Sequence, residues 1–229
     1  MQAAPTASLV IPTEIFENAR VVINQVLSQI PQSTQGLERQ IFIGDFVEKL
    51  PLENRYMLKI FVESLLLRMS LINASDIDFG GFGGQEKIWY RIFGAKKPDP
   101  TMDPLSIDET NILIQSVISS RQRQYLYEMK NLDFSYMIMD GEKMNRFRAD
   151  AYMDLDQLAL NMRAINATIR PYKTLELHPN VTKIVSLAHT KEGLILITGI
   201  TGSGKSTTLD AMIDLNNHTV DGHIVVVAS

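Results

Sequence analysis

One stretch of nine residues constrains this chain more than any other. Gly199 to Thr207 read GITGSGKST, a complete G-x-x-x-x-G-K-[ST] phosphate-binding loop. An apolar run, Leu194–Thr198, precedes it and predicts a strand. Ser206–Leu215 follows with a helical pattern. Strand, loop and helix in that order are the context in which the motif carries meaning. Gly199, Gly202 and Gly204 permit backbone conformations that a β-carbon forbids. The amides of Thr201, Gly202, Ser203 and Gly204 can then turn inward on phosphate oxygens, and the helix N-terminus adds free N–H groups and partial positive charge. Lys205 is expected to reach the β- and γ-phosphates and the Ser206 hydroxyl to hold Mg²⁺. Thr207 is a candidate α-phosphate contact, or simply the next helical residue.

Composition narrows the remaining classes. The 229 residues are 45% apolar and 21% charged, ordinary values for a globular protein and enough for one large domain or two small ones. The absence of cysteine excludes a disulfide framework, a thiolate metal site and a cysteine nucleophile, and fits a reducing compartment. His178, His189, His218 and His223 lack metal-ligand spacing and read as structural. The N-terminus is not patterned as a signal peptide, and no apolar run approaches the roughly 18 residues needed to span a bilayer. A net charge of −4 gives no general pull toward nucleic acid, and no nucleic-acid partner is expected.

Residues 1–11 read as a disordered lead-in. From Thr13 the periodicity is helical, with Ile15, Ala19, Val22, Ile23, Val26 and Ile30 on one face and Pro31 as the stop. Further helices are expected over 37–49 and from Pro51 to about Ser70. At Asn73 the character changes. Ala74–Phe79 and Lys87–Phe93 read as strands, with Trp89 and Tyr90 as core. Gly80–Gly84 between them reads as a hairpin connection, because no helical pattern follows it. Ser106 and Glu109 predict a capping box for a helix to about Ser119, and another helix runs to about Lys130. Asp133–Met139, the turn Asp140-Gly141 and Arg146–Asp154 predict a hairpin, in which Phe147, Ala149, Ala151 and Met153 alternate with Arg146, Arg148, Asp150 and Tyr152. Leu158–Ile165 extends that sheet. A helix near Val181–His189 and a last strand at His223–Val227 complete the reading.

Several of these segments, in this order, resemble motifs of the secretion and pilus motor ATPases, most closely the PilT-type twitching-motility branch. They are Ala74-Ser-Asp-Ile-Asp78, Asp133-Phe-Ser-Tyr136, Arg146-Phe-Arg-Ala149, Gly193–Met212 and His223-Ile224. The resemblance covers about residues 73–229, and residues 1–72 carry none. It implies an α/β chain in three parts: a helical N-terminal extension (1–72), a PAS-like α+β domain (73–178) and the beginning of a RecA-like phosphate-loop domain with a parallel sheet (179–229). It also implies ATP and Mg²⁺ as cofactors, a ring of six copies and a pilus or secretion platform protein of the inner membrane as partner. The implied location is the cytoplasm, peripheral at that membrane. The implied activity is ATP hydrolysis that powers pilus retraction or type II/IV secretion. The family's acidic segment, Walker-B strand and histidine box have no counterpart here, and Ala228 and Ser229 stand where acids are expected. A piece of a longer product, inactive by itself, is therefore the expectation.

Phosphoryl transfer is catalysed largely by positioned positive charge. Lys205, Arg148 and Arg163 are accordingly the candidate catalytic residues, with Arg146 beside them. The alternative is that the arginines are the polar face of an antiparallel sheet, paired with Asp150 or Asp154. Two other functions compete: a nucleotide-binding regulatory module without hydrolysis, and a small-molecule phosphate-loop kinase. The long α+β region ahead of the loop argues against the kinase.

Overall fold

A computed structural model describes residues 12–165, 169–200 and 203–227. The expectations for residues 1–11, Thr201, Gly202, Ala228 and Ser229 lie outside the described residues. The chain divides into two compact units, Met1–Ile165 and Asn166–Ser229.

The first unit opens with three helices, α1 (Thr13–Leu27), α2 (Gly36–Lys49) and α3 (Leu52–Leu71). Strands β1 (Ala74–Gly80), β2 (Trp89–Ile92) and β3 (Ala95–Pro98) follow, then helices α4 (Ile107–Ser116) and α5 (Ser120–Met129). Strands β4 (Asn131–Asp140), β5 (Lys143–Asp154) and β6 (Gln157–Ile165) close it. They form one antiparallel sheet in the order β3-β2-β1-β6-β5-β4.

Period-two patterning divides that sheet into an apolar and a polar face. Ile77, Phe79, Phe147, Ala149, Ala151, Leu158, Leu160 and Met162 are buried on the apolar face. They share one core with Val22, Ile23 and Val26 of α1, Leu58, Phe61 and Leu65 of α3, and Ile112–Ile114 of α4. Each large side chain buried this way contributes about 1.5–3 kcal/mol. Residues 13–71 are therefore one layer of this unit and not a separate extension, because their apolar stripes are covered by the sheet and α4. The boundary between compact units likewise falls at Ile165 and not at residue 178.

Several local signals act as the sequence predicts. Ser106 accepts from the Glu109 amide at 3.3 Å, and the Glu109 carboxylate accepts from the Ser106 amide at 2.6 Å. The other Glu109 oxygen takes Arg20 of α1 at 2.7 Å, so the cap also ties two helices together. Gly80 has φ +83°, and a Cβ there would lie 2.4 Å from the Leu158 carbonyl oxygen, which fixes glycine where β1 leaves β6. Tyr90 is buried and donates to the Leu65 carbonyl, whereas Trp89 is only half-buried.

The second unit holds a 3-10 turn at Tyr172–Leu175, helix α6 (Pro179–Val185) and helix α7 (Lys205–Thr219). Its core is small: Tyr172, Val185, Ala211 and Met212, with Leu175, Ile197 and Leu215 against them. The strands expected at Leu194–Thr198 and His223–Val227 form no ladder among the described residues, and neither does a parallel sheet. Leu194 is 82% exposed and Val227 93%. Apolar sequence alone does not make a strand, which needs a neighbour to pair its backbone groups. No helix among the described residues is long and apolar enough to cross a membrane.

Among the described residues, one ion pair has both side chains buried inside the first unit. Arg68 of α3 meets Asp99 at 3.1 Å, with side chains 7% and 0% exposed. Thr101 joins both, accepting from Arg68 at 2.6 Å and donating to Asp99 at 2.8 Å. Arg68→Ala strands a buried carboxylate, and it should destabilise the unit by about 3–5 kcal/mol. Trp89 is the chain's one tryptophan, so its fluorescence in a urea titration reads this loss directly.

Candidate nucleotide-binding site

Helix α7 begins without a side-chain cap. Its N-cap is Gly204, at φ +87°, a left-handed conformation that favours glycine. The first intrahelical bond runs from the Thr208 amide to the Gly204 carbonyl at 2.9 Å. The amides of Lys205, Ser206 and Thr207 precede that bond and have no hydrogen-bond partner among the described residues, which suits an anion at the helix start. Gly199, at the other end of the loop, has φ +155°, and a Cβ there would lie 2.7 Å from Ser203 Oγ. Ser203 folds back, its amide donating to the Ile200 carbonyl at 3.2 Å. Lys205 Nζ donates to the same carbonyl at 2.8 Å, which curls the amine over the loop. Gly199, Ser203, Gly204 and Lys205 are thus close together, and Ser206 and Thr207 follow on the first turn of α7.

A second helix end anchors this arrangement. Asn216 is buried on α7, and its amide donates to the Val185 carbonyl at 3.0 Å and to the Met212 carbonyl at 2.9 Å. Its oxygen accepts from the Leu187 amide at 2.8 Å. One side chain so clamps the chain leaving α6 to the loop's helix. The sequence gives no sign of this, since Asn216 stands in a polar run with no motif. Of the histidines, His178 caps α6 by accepting from the Asn180 amide, and His218 contacts Asp214 one turn back on α7.

Arg148 and Arg163 lie in the first unit, opposite each other in the β5–β6 register on the polar face of the sheet. Arg163 donates to Asp76 at 2.7 Å, and Arg148 sits 3.6 Å from Asp133; their side chains are 67% and 70% exposed. Their partners are therefore Asp76 and Asp133, not Asp150 or Asp154. Asp76 is buried on this otherwise exposed face and also meets Arg91 at 3.5 Å. Asp133 faces Asp150 directly in register. Burial, and then the Asp133 carboxylate, push the Asp150 carboxyl above its ordinary range. Asp154 serves the Gly-rich connection instead, accepting from the Gly83 amide at 2.9 Å.

Residues 52–228 match the family described as type II/IV secretion system protein. The chain belongs to this family. The match begins at residue 52, so the similarity reaches back through α3 and is not confined to residues 73–229. The type IV pilus ATPase PilU of Pseudomonas aeruginosa is 34% identical over 125 residues, covering 55% of this chain and 31% of PilU. The pilus retraction ATPase PilT of the same species is 33% identical over 126 residues, covering 55% of this chain and 35% of PilT. The chain thus matches about a third of the length of these curated relatives. Among solved structures, the pilus retraction motor PilT with bound ADP is 36% identical with a TM-score of 0.52, over 71% of this chain and 43% of that one. The Legionella pneumophila ATPase DotB is 28% identical with a TM-score of 0.59, over 68% of this chain and 42% of DotB.

Two tests address the geometry. Asn216→Ala leaves the Leu187 amide and Val185 carbonyl without partners, which should cost roughly 1–3 kcal/mol. It should also speed hydrogen exchange at Leu187. At Asp150 a raised folded-state pKa means that stability falls as pH rises through the aspartate range, because ionisation is resisted in the fold. Asp133→Asn should move the Asp150 midpoint down toward the ordinary aspartate value in a carbon-detected NMR titration. An unmoved midpoint would show that the facing carboxylate has no part in it.

Proposed function

We propose that this chain is the nucleotide-binding part of a motor ATPase that drives type IV pilus retraction or related type II/IV secretion. The observation that carries the reading is the uncapped N-terminus of α7, whose first three amides have no partner among the described residues, with Gly199 and Gly204 in glycine-favouring conformations and Lys205 curled over the loop, in a chain of this family. A Cβ at Gly199 would collide with Ser203 Oγ of the loop. These residues suit a nucleoside triphosphate: the loop amides and Lys205 would hold phosphate oxygens, and the Ser206 hydroxyl would hold Mg²⁺. When bound, the metal would neutralise charge on the phosphates. Lys205 must then exchange the Ile200 carbonyl for a phosphate oxygen, a stronger, charge-assisted bond.

The same reading assigns the parts of the chain. The β1–β2 hairpin, the intervening helices and the β4–β5–β6 meander support a PAS-like domain. The apolar segments flanking the loop support the start of a RecA-like domain. Arg148 and Arg163 would supply positive charge to the transferred phosphoryl group. Six-fold assembly, a platform protein of the inner membrane and a cytoplasmic location, peripheral at that membrane, complete the proposal.

Calorimetric titration with Mg²⁺-ADP and Mg²⁺-ATP tests it. Lys205→Ala should weaken binding by roughly ten- to a hundredfold, the loss expected for one charged hydrogen bond. Undiminished affinity in that variant would remove the loop from the site. In phosphate-release assays on a version that carries a complete RecA-like domain, Arg148→Ala and Arg163→Ala should lower turnover roughly tenfold or more and leave affinity within about twofold. Variants that lose only stability would return both arginines to the sheet surface. Tight binding with no phosphate release by that wild-type version would favour the regulatory module.

A further inference from the structure

An open sheet has two edges, and each presents unpaired backbone groups to a further strand. The two edges here differ. β3 is four residues long and carries Lys96, Lys97 and Pro98, whose charge and missing N–H discourage pairing. β4 is ten residues long and has no lysine, arginine or proline. Its hydrogen-bonding phase is fixed at its start, where the Met153 amide donates to the Lys130 carbonyl at 3.0 Å. Residues of an antiparallel ladder alternate between bonding one neighbour and facing away from it. Leu132, Phe134, Tyr136 and Ile138 therefore bond β5, and Asn131, Asp133, Ser135, Met137 and Met139 turn their N–H and C=O groups outward. Among the described residues, none of these outward groups has a hydrogen-bond partner, and all five side chains are exposed.

We propose that this edge docks β4 of a second copy of the chain, antiparallel, about a two-fold axis through Ser135. The sequence of the edge is complementary to itself in that register. On the polar face Ser135 meets the partner's Ser135, Asp133 meets the partner's Met137, and Asn131 meets the partner's Met139. On the helix-covered face Leu132 meets the partner's Ile138 and Phe134 the partner's Tyr136, an aromatic pair of the kind that stabilises neighbouring strands. At each end Lys130 meets the partner's Asp140. Lys130 is held only loosely, 3.7 Å from Asp156, and Asp140 has no ion pair among the described residues. A shift that centres the axis on Asp133 sets two carboxylates face to face, and like charges directly opposite are destabilising. A shift that centres the axis on Met137 leaves Asn131–Asp133 without strand partners and separates Lys130 from the partner's Asp140. Charge and length together select the Ser135 register. The result is an isologous interface that continues the sheet from one copy into the next.

The chain has no native cysteine, which makes the register directly readable. Oxidation of Ser135→Cys should give a disulfide-linked dimer, because residues opposite each other in a ladder lie within disulfide reach. Met139→Cys, facing the partner's Asn131, should not. In sedimentation experiments at roughly 100 µM, Ser135→Lys should weaken self-association about tenfold or more by placing two cations on the axis. Lys130→Asp and Asp140→Lys should each weaken it, and the double variant should restore it to within about threefold. Trp89 fluorescence confirms that each variant is folded. A ring built on other surfaces would not produce this cross-link pattern or this rescue. Equal cross-linking at 135 and 139, a double variant no better than the singles, or a wild-type chain that stays monomeric would overturn the proposal. A monomer that captures an added β-strand peptide would assign the edge to another protein instead.

Discussion

The first unit depends on the ladder between β1 and β6. Asp76 stands opposite Arg163 and Gly80 opposite Ala159, so two strands far apart in the chain form the middle of the sheet. Everything between them, from the Gly-rich connection to the β5–β6 turn, folds within the loop that this pairing closes. The entropy of closing such a loop grows only slowly with its length, but closure needs a register that cannot slip. Both faces supply one. Ile77 and Phe79 are buried under the helices, and a slip of one residue would turn them outward. On the open face Asp76 is held between Arg163 and Arg91, which ties β1 to both of its neighbours. The arginine that the catalytic reading singles out is therefore also part of what fixes the sheet.

How far the sequence can be read follows from whether a feature is local. The capping box at Ser106 and Glu109, the alternation along β5 and the hairpin at Asp140-Gly141 are written within a few residues of themselves, and each is present. Features decided across strands are harder to read. Arg148 has Asp150 two positions along its own strand, yet its partner is Asp133 on β4, since register and not sequence separation brings the charges together. The role of α1–α3 is of the same kind. Their apolar stripes are plain in the sequence, but what covers them is not, and Arg68 with Asp99 had no motif to mark it.

The phosphate loop shows the same division within one site. Among the described residues, Gly199 and Gly204 take glycine-favouring conformations and α7 begins at Lys205, all within a short stretch. The apolar runs on either side carry an equally clear pattern and form no ladder among the described residues. Their backbones need partners that the loop sequence does not provide. What holds the loop's helix instead is Asn216, three turns along α7, through contacts to Val185 and Leu187.

Lys205 shows how such a loop can keep its shape before a phosphate arrives. An ammonium left pointing into water would be free to sample many rotamers, and binding would have to restrict them. The 2.8 Å bond to the Ile200 carbonyl restricts them in advance. That bond is made to a neutral acceptor, so it is weaker than the one a phosphate oxygen offers. On the proposed reading the exchange would run in favour of the ligand while the amine is already gathered over the loop, and part of the ordering cost of binding would fall on the fold.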